Sequence, residues 1–86
     1  MENLTGLIVR SKAGRDKGDY FIVLRSEEEF VYMANGELRK VDCPKKKKLK
    51  HLQMTSHICE SVQENIRKGE TVTNSELRKA LAEYLN

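Results

Sequence analysis

Residues 6–24 read GLIVRSKAGRDKGDYFIVL, two apolar stretches separated by a polar, glycine-bearing loop. Gly6–Ser11 is dominated by aliphatic and β-branched side chains, which favour a strand. In that strand Leu7 and Val9 share one face, so Ile8 lies on the other and needs cover. Lys12–Asp19 is a turn-rich loop whose Gly14 and Gly18 permit positive φ or close backbone approach by a partner. Tyr20–Leu24 follows as a strand apolar on both faces, the pattern of a central strand buried on both sides.

Working outward, Arg25–Glu28 is a polar connection and Glu29–Ala34 a third strand. Asn35-Gly36 is the strongest short-range signal for a type I′ hairpin. It predicts an antiparallel return over Glu37–Val41, with Leu38 and Val41 too sparse for a doubly buried strand, hence an edge strand with Arg39 and Lys40 toward solvent or a ligand. Pro44 ends it. Leu49–Met54 is expected to close the sheet as a short fifth strand. From Ser56 the period changes, with Ile58, Val62 and Ile66 on one helical stripe and Gly69 as a stop, giving a helix of about three turns. Thr73-Asn74-Ser75-Glu76 has capping-box spacing, and Leu77, Ala80, Leu81, Tyr84 and Leu85 keep the period of a second helix. Two helices this short must pack on each other and on the sheet, where they would cover Ile8.

The 86 residues fit one domain, and 38% hydrophobic content without an apolar run of about 20 residues gives no membrane-spanning helix. Met1–Thr5 carries Glu2 where a secretory signal would be positive, which leads us to expect a cytoplasmic protein with Cys43 and Cys59 as free thiols. Net charge is +3 from 16 Lys/Arg and 13 Asp/Glu, but it is unevenly spread. Residues 41–54 hold Lys45, Lys46, Lys47, Lys48 and Lys50 against Asp42 alone, so residues 45–50 read as a basic arm.

Zinc coordination by Cys43, His51, His57 and Cys59 lacks ligand spacing, and no metal or cofactor is expected. Ser11, Cys43 and Cys59 have no context for an activated nucleophile, and the expectation is a protein that is not an enzyme. Among the aromatics, Phe21 and Phe30 are assigned to the core, while Tyr32 is kept as a candidate stacking ring. A helix-turn-helix reading of the tail fails because the second helix carries only Arg78 and Lys79 near its start, after a long connection.

The 6–24 stretch resembles the KOW motif of large-subunit ribosomal proteins and bacterial transcription elongation factors, on the strand ending at Ser11, the Gly14-Arg15-Asp16-Lys17-Gly18 loop and the strand with Ile22 and Val23. The whole chain is similar to small bacterial KOW-domain RNA-binding proteins, and through them to the archaeal and eukaryotic large-subunit ribosomal protein fourteen. The resemblance implies an SH3-like five-stranded barrel over residues 1–55, basic arm included, followed by two short C-terminal helices in a hairpin over residues 56–86. It also implies a ribosome-associated role, with the loop touching RNA.

Elementary chemistry points the same way, since phosphate recognition needs cations and approachable backbone on a stiff frame. The expected RNA contacts centre on Lys12, Gly14, Arg15, Lys17 and Gly18, supported by Arg10, Asn35, Arg39, Lys40, Lys45, Lys46, Lys47, Lys48 and Lys50. The partner expected is structured ribosomal RNA, within the ribosome or another ribonucleoprotein. The rival is a protein-interaction module of the transcription or translation machinery, with the acidic Glu27–Glu29 loop meeting a basic partner.

Overall fold

A computed structural model describes residues 3–86. Five strands, β1 (Leu7–Ser11), β2 (Tyr20–Ser26), β3 (Phe30–Ala34), β4 (Lys45–Lys48) and β5 (Leu52–Ile58), precede two helices, α1 (Glu60–Arg67) and α2 (Asn74–Leu85). The strands form one antiparallel sheet in the order β4-β3-β2-β1-β5. The central position of β2 explains its composition, for Phe21, Ile22 and Val23 are all buried.

Alternation sends the apolar side chains to two separate cores. Leu7, Val9, Phe21, Val23, Val31, Met33 and Leu52 pack together on one face of the sheet, away from the helices. Ile8, Ile22 and Ala34 on the other face meet Cys59, Val62, Val72, Leu77 and Leu81, so the helical tail does cover Ile8.

The first core is buried by the curl of the sheet itself. A turn of 3₁₀ helix, Leu49–His51, is all that joins the two edge strands β4 and β5. In a flat sheet these edges would stand about 19 Å apart, four strand spacings, whereas the chain from Lys48 to Leu52 reaches at most about 14 Å. The sheet must therefore coil, and Leu49 and Leu52 are drawn over the end of that core.

The expected fourth strand over Glu37–Val41 does not form, nor does the type I′ turn. That turn needs positive φ at both central residues, and among the described residues only glycines have it. Instead the Asn35 side chain shapes a loop, its Oδ1 accepting from the amides of Glu37 and Arg39, both at 3.0 Å. The loop docks on α2 through Val41 N–H donating to Asn74 Oδ1 at 2.8 Å and Arg78 Nη1 donating to Gly36 O at 2.8 Å. Gly36 has φ of +81°, and a Cβ there would lie 2.3 Å from the Asn74 carbonyl oxygen, so both conformation and space demand glycine.

The lysine run is the fourth strand, not an arm. Lys45 pairs with Met33, Lys46 with Tyr32, Lys47 with Val31 and Lys48 with Phe30. Strand β5 also starts and ends later than expected, because Leu7 still pairs with Ile58. The first helix accordingly begins at Glu60, four positions past Ser56, and Ile58 is 43% exposed on the strand. It spans eight residues and closes through Gly69 N–H to Ile66 O and Glu70 N–H to Asn65 O, a double C-terminal cap. The capping box of α2 is half formed. Thr73 Oγ1 accepts from Glu76 N–H at 3.1 Å, but the Glu76 carboxylate turns to Asn65 Nδ2 of α1 and ties the helices together.

Candidate nucleic-acid interface

The loop between β1 and β2 is held by its own backbone. Gly18 N–H donates to Ser11 O, Ser11 N–H to Asp19 O and Lys12 N–H to His51 O. Gly14 and Gly18 adopt φ of +84° and +92°, and a Cβ on either would meet only ordinary contacts. Their role is conformational, and the Gly18 amide, already bonded, is not a free donor for a ligand.

At the centre of the loop Asp16 gathers three donors. Ser11 Oγ donates to Oδ1 at 2.7 Å, Lys47 Nζ donates to Oδ1 at 2.9 Å, and Lys45 Nζ lies 3.0 Å from Oδ2. Lys47 Nζ also donates to Ala13 O at 2.8 Å. Burial alone would push the Asp16 carboxyl up; the bonds from Lys47, Ser11 and Lys45 outweigh it and hold the group well below the usual carboxylate range. Asp16 is a structural acid outside the expected set of site residues. Its signal in the sequence is weak, one of two carboxylates in a loop that also holds Lys12, Arg15 and Lys17.

Strand alternation divides the lysine run into two pairs. Lys45 and Lys47 share the face of Met33 and Val31, and both are engaged by Asp16. Lys47 is only 8% exposed and does not serve as a free phosphate contact. Lys46 and Lys48 emerge on the opposite face beside Tyr32 and Phe30 and are exposed.

Arg10, Lys12, Arg15 and Lys17 are exposed on β1 and its loop, as are Lys40 and Lys50. Arg15, Arg39 and Lys45 come from three separate segments to line one shallow cleft with Asp16, Asp19, Phe21 and Leu38. Leu38 is 75% exposed there. Asn35 belongs to the frame, since its Oδ1 is consumed by the loop it shapes.

No protein-family model matches the chain, and no curated protein matches it.

Phe30, assigned to the core from the sequence, belongs to neither buried cluster. Lys46 Nζ stands 4.4 Å from its ring centroid, and Arg25 Cζ stands 4.3 Å from that of Tyr32. Arg25, not among the expected contacts, also pairs with Glu27 at 2.9 Å. Cys43 is exposed and Cys59 buried, and no group of three or more His, Cys, Asp or Glu side chains suited to a metal occurs among the described residues. No helix among these residues is long and apolar enough to cross a membrane.

Proposed function

We propose that this chain is an RNA-binding protein of the ribosome or another ribonucleoprotein, acting in the cytoplasm by binding and not by catalysis. The observation that carries the reading is the convergence of Arg15, Arg39 and Lys45 on one cleft, beside a loop that also presents Lys12 and Lys17. The three cations of the cleft exceed its two carboxylates, Asp16 and Asp19, by one, and an excess of positive charge suits phosphate. Arginines from two loops on one cleft suit a structured backbone, because each planar guanidinium can bind a phosphate in bidentate fashion.

The short link between the edge strands β4 and β5, three residues long, supports the reading of the sheet as an SH3-like barrel. The resemblance of residues 6–24 to the KOW motif supports the reading, since it implies that the loop between β1 and β2 touches RNA. On this reading Asp16 pins the loop to β4, so that Arg15 and Lys17 flank a rigid tip and RNA is met without an ordering cost.

The test is titration of a structured ribosomal RNA fragment over a salt series with the wild-type chain and an Arg15→Ala, Arg39→Ala double variant. The double variant should bind more weakly and show a shallower salt slope, by up to ~0.7 to 0.9 log units for each phosphate that is no longer neutralised. Equal affinity and slope in both folded proteins would remove the cleft from the interface. If the wild type binds no RNA, the protein-interaction reading takes its place.

A further inference from the structure

We infer that the outer face of β3 and β4 is a second RNA-contacting surface, a stacking platform for two unpaired nucleotides built from Phe30 and Tyr32 and flanked by Arg25, Lys46 and Lys48. The inference rests on the RNA reading above and adds a ligand class to it, single-stranded RNA as distinct from a structured backbone.

One face of the sheet is divided along β3. Ala34 sits in the core under the helices, while Phe30 and Tyr32, the other two side chains of β3 on that face, belong to neither core and are partly exposed. Registration sets cations on both sides of this aromatic pair, for Tyr32 lies between Arg25 of β2 and Lys46 of β4, and Phe30 lies beside Lys48. Aromatic side chains on an open sheet face with flanking cations form a surface on which bases stack while phosphates are neutralised.

Spacing selects the ligand. Alternate residues on a strand are about 7 Å apart, roughly twice the step of about 3.4 Å per nucleotide along a stacked strand. Two bases can rest on these rings only if they are splayed from one another, which a duplex does not allow and an unpaired segment does. Each ring is presently faced by a cation, Lys46 over Phe30 and Arg25 over Tyr32. A base replaces an exposed cation–π contact with a stronger stacking contact, and it frees Lys46 for phosphate. Glu27 is bound by Arg25 and by the Tyr32 hydroxyl, which donates to its Oε1 at 3.4 Å, and Glu28 and Glu29 bound the platform beside Lys48 and Lys50.

The full chain should be titrated against a short single-stranded oligoribonucleotide containing 2-aminopurine and, separately, a blunt RNA duplex. Wild type should quench 2-aminopurine. The Phe30→Leu, Tyr32→Leu double variant keeps apolar bulk but no flat ring, and should lose that quenching and about fivefold or more in single-strand affinity per stacked base. Its duplex affinity should change by less than about twofold. The chain has no tryptophan, so Tyr32→Trp adds a unique emitter that single-stranded RNA should quench and duplex should not. Duplex binding with no quenching of either reporter overturns the platform and leaves the cleft reading standing. Failure to bind either RNA overturns both, and preferential binding of polyglutamate would reassign this face to an acidic peptide.

Discussion

Lys47 Nζ donates to Asp16 Oδ1 at 2.9 Å across 31 positions of sequence, joining the loop after β1 to the edge strand β4. Both side chains are nearly buried, at 9% and 11% exposure. A buried pair is a weak stabiliser as a unit but costly to break from one side, because the remaining charge loses its compensation.

Asp16→Asn should destabilise the fold by about 3 kcal/mol, and Lys47→Met by less, since Asp16 keeps Lys45 at 3.0 Å. The combined Asp16→Asn, Lys47→Met variant should lose less than the sum of the single changes, since no orphaned charge is left on Lys47. Denaturant midpoints of the four proteins in a double-mutant cycle provide the check. Strict additivity would mean that the pair contributes no coupling.

The same carboxylate predicts an acid limb in the stability curve. Its folded pKa lies below the ordinary value of 3.8, so between the two values the unfolded chain binds more protons and stability rises with pH. The contribution is therefore complete above the ordinary value and is lost as pH falls toward the depressed one. Subtracting the Asp16→Asn curve from that of wild type should give a difference that is flat at neutral pH and shrinks below about pH 4. A difference independent of pH would show that Asp16 keeps its unfolded titration.

Gly36→Ala should cost more than Gly69→Ala, although the two glycines have similar φ, +81° and +75°. Backbone strain alone is about 1 to 2 kcal/mol for an L-residue in this region, and Gly69 has open space around its would-be Cβ. At position 36 the added carbon also collides with the Asn74 carbonyl and crowds Arg78. Thermal unfolding of both variants isolates the collision, and equal losses would mean that the loop relaxes away from α2 freely.

Within the lysine run the effects should separate by parity. Lys46→Ala with Lys48→Ala should leave stability within about 0.5 kcal/mol, as expected for surface sites, while lowering RNA affinity and flattening its salt dependence. Lys47→Ala should chiefly lower stability. Parallel RNA titrations and denaturation curves on the same proteins make the comparison, and identical behaviour of all the lysines would favour a flexible arm over an edge strand.

The parts legible in the sequence are those whose side chains report their own environment. Val9, Phe21, Ile22 and Val23 are buried where alternation and contiguous apolar character indicate, and Leu77 and Leu81 lie on the stripe that their spacing predicts. Strand β4 is not legible because four lysines carry no hydrophobic period; its partners in β3 and the distant Asp16 supply the reason for the pairing. Asn35-Gly36 misleads because the Asn35 amide finds local donors and Asn74 holds the returning chain. Ile58 fits a helical stripe with Val62 and Ile66, yet the bond from Cys59 N–H to Gly6 O keeps the chain at its neighbouring strand. In the site, the cations are visible as residue types. Their division between a structural acid and an open aromatic face depends on strand register, which a run of identical residues does not encode.

The two borders of the sheet are unlike as templates for further strand addition. Strand β4 has a lysine at each of its four positions, so a second copy aligned along it would set ammonium groups opposite ammonium groups. Strand β5 has no Lys, Arg, Asp or Glu among its seven residues and leaves Met54 and Ile58 partly uncovered. Growth of the sheet by fibril-like stacking is thus opposed by charge at one border only, and a gatekeeper substitution meant to suppress aggregation belongs on an outward position of β5 such as Gln53.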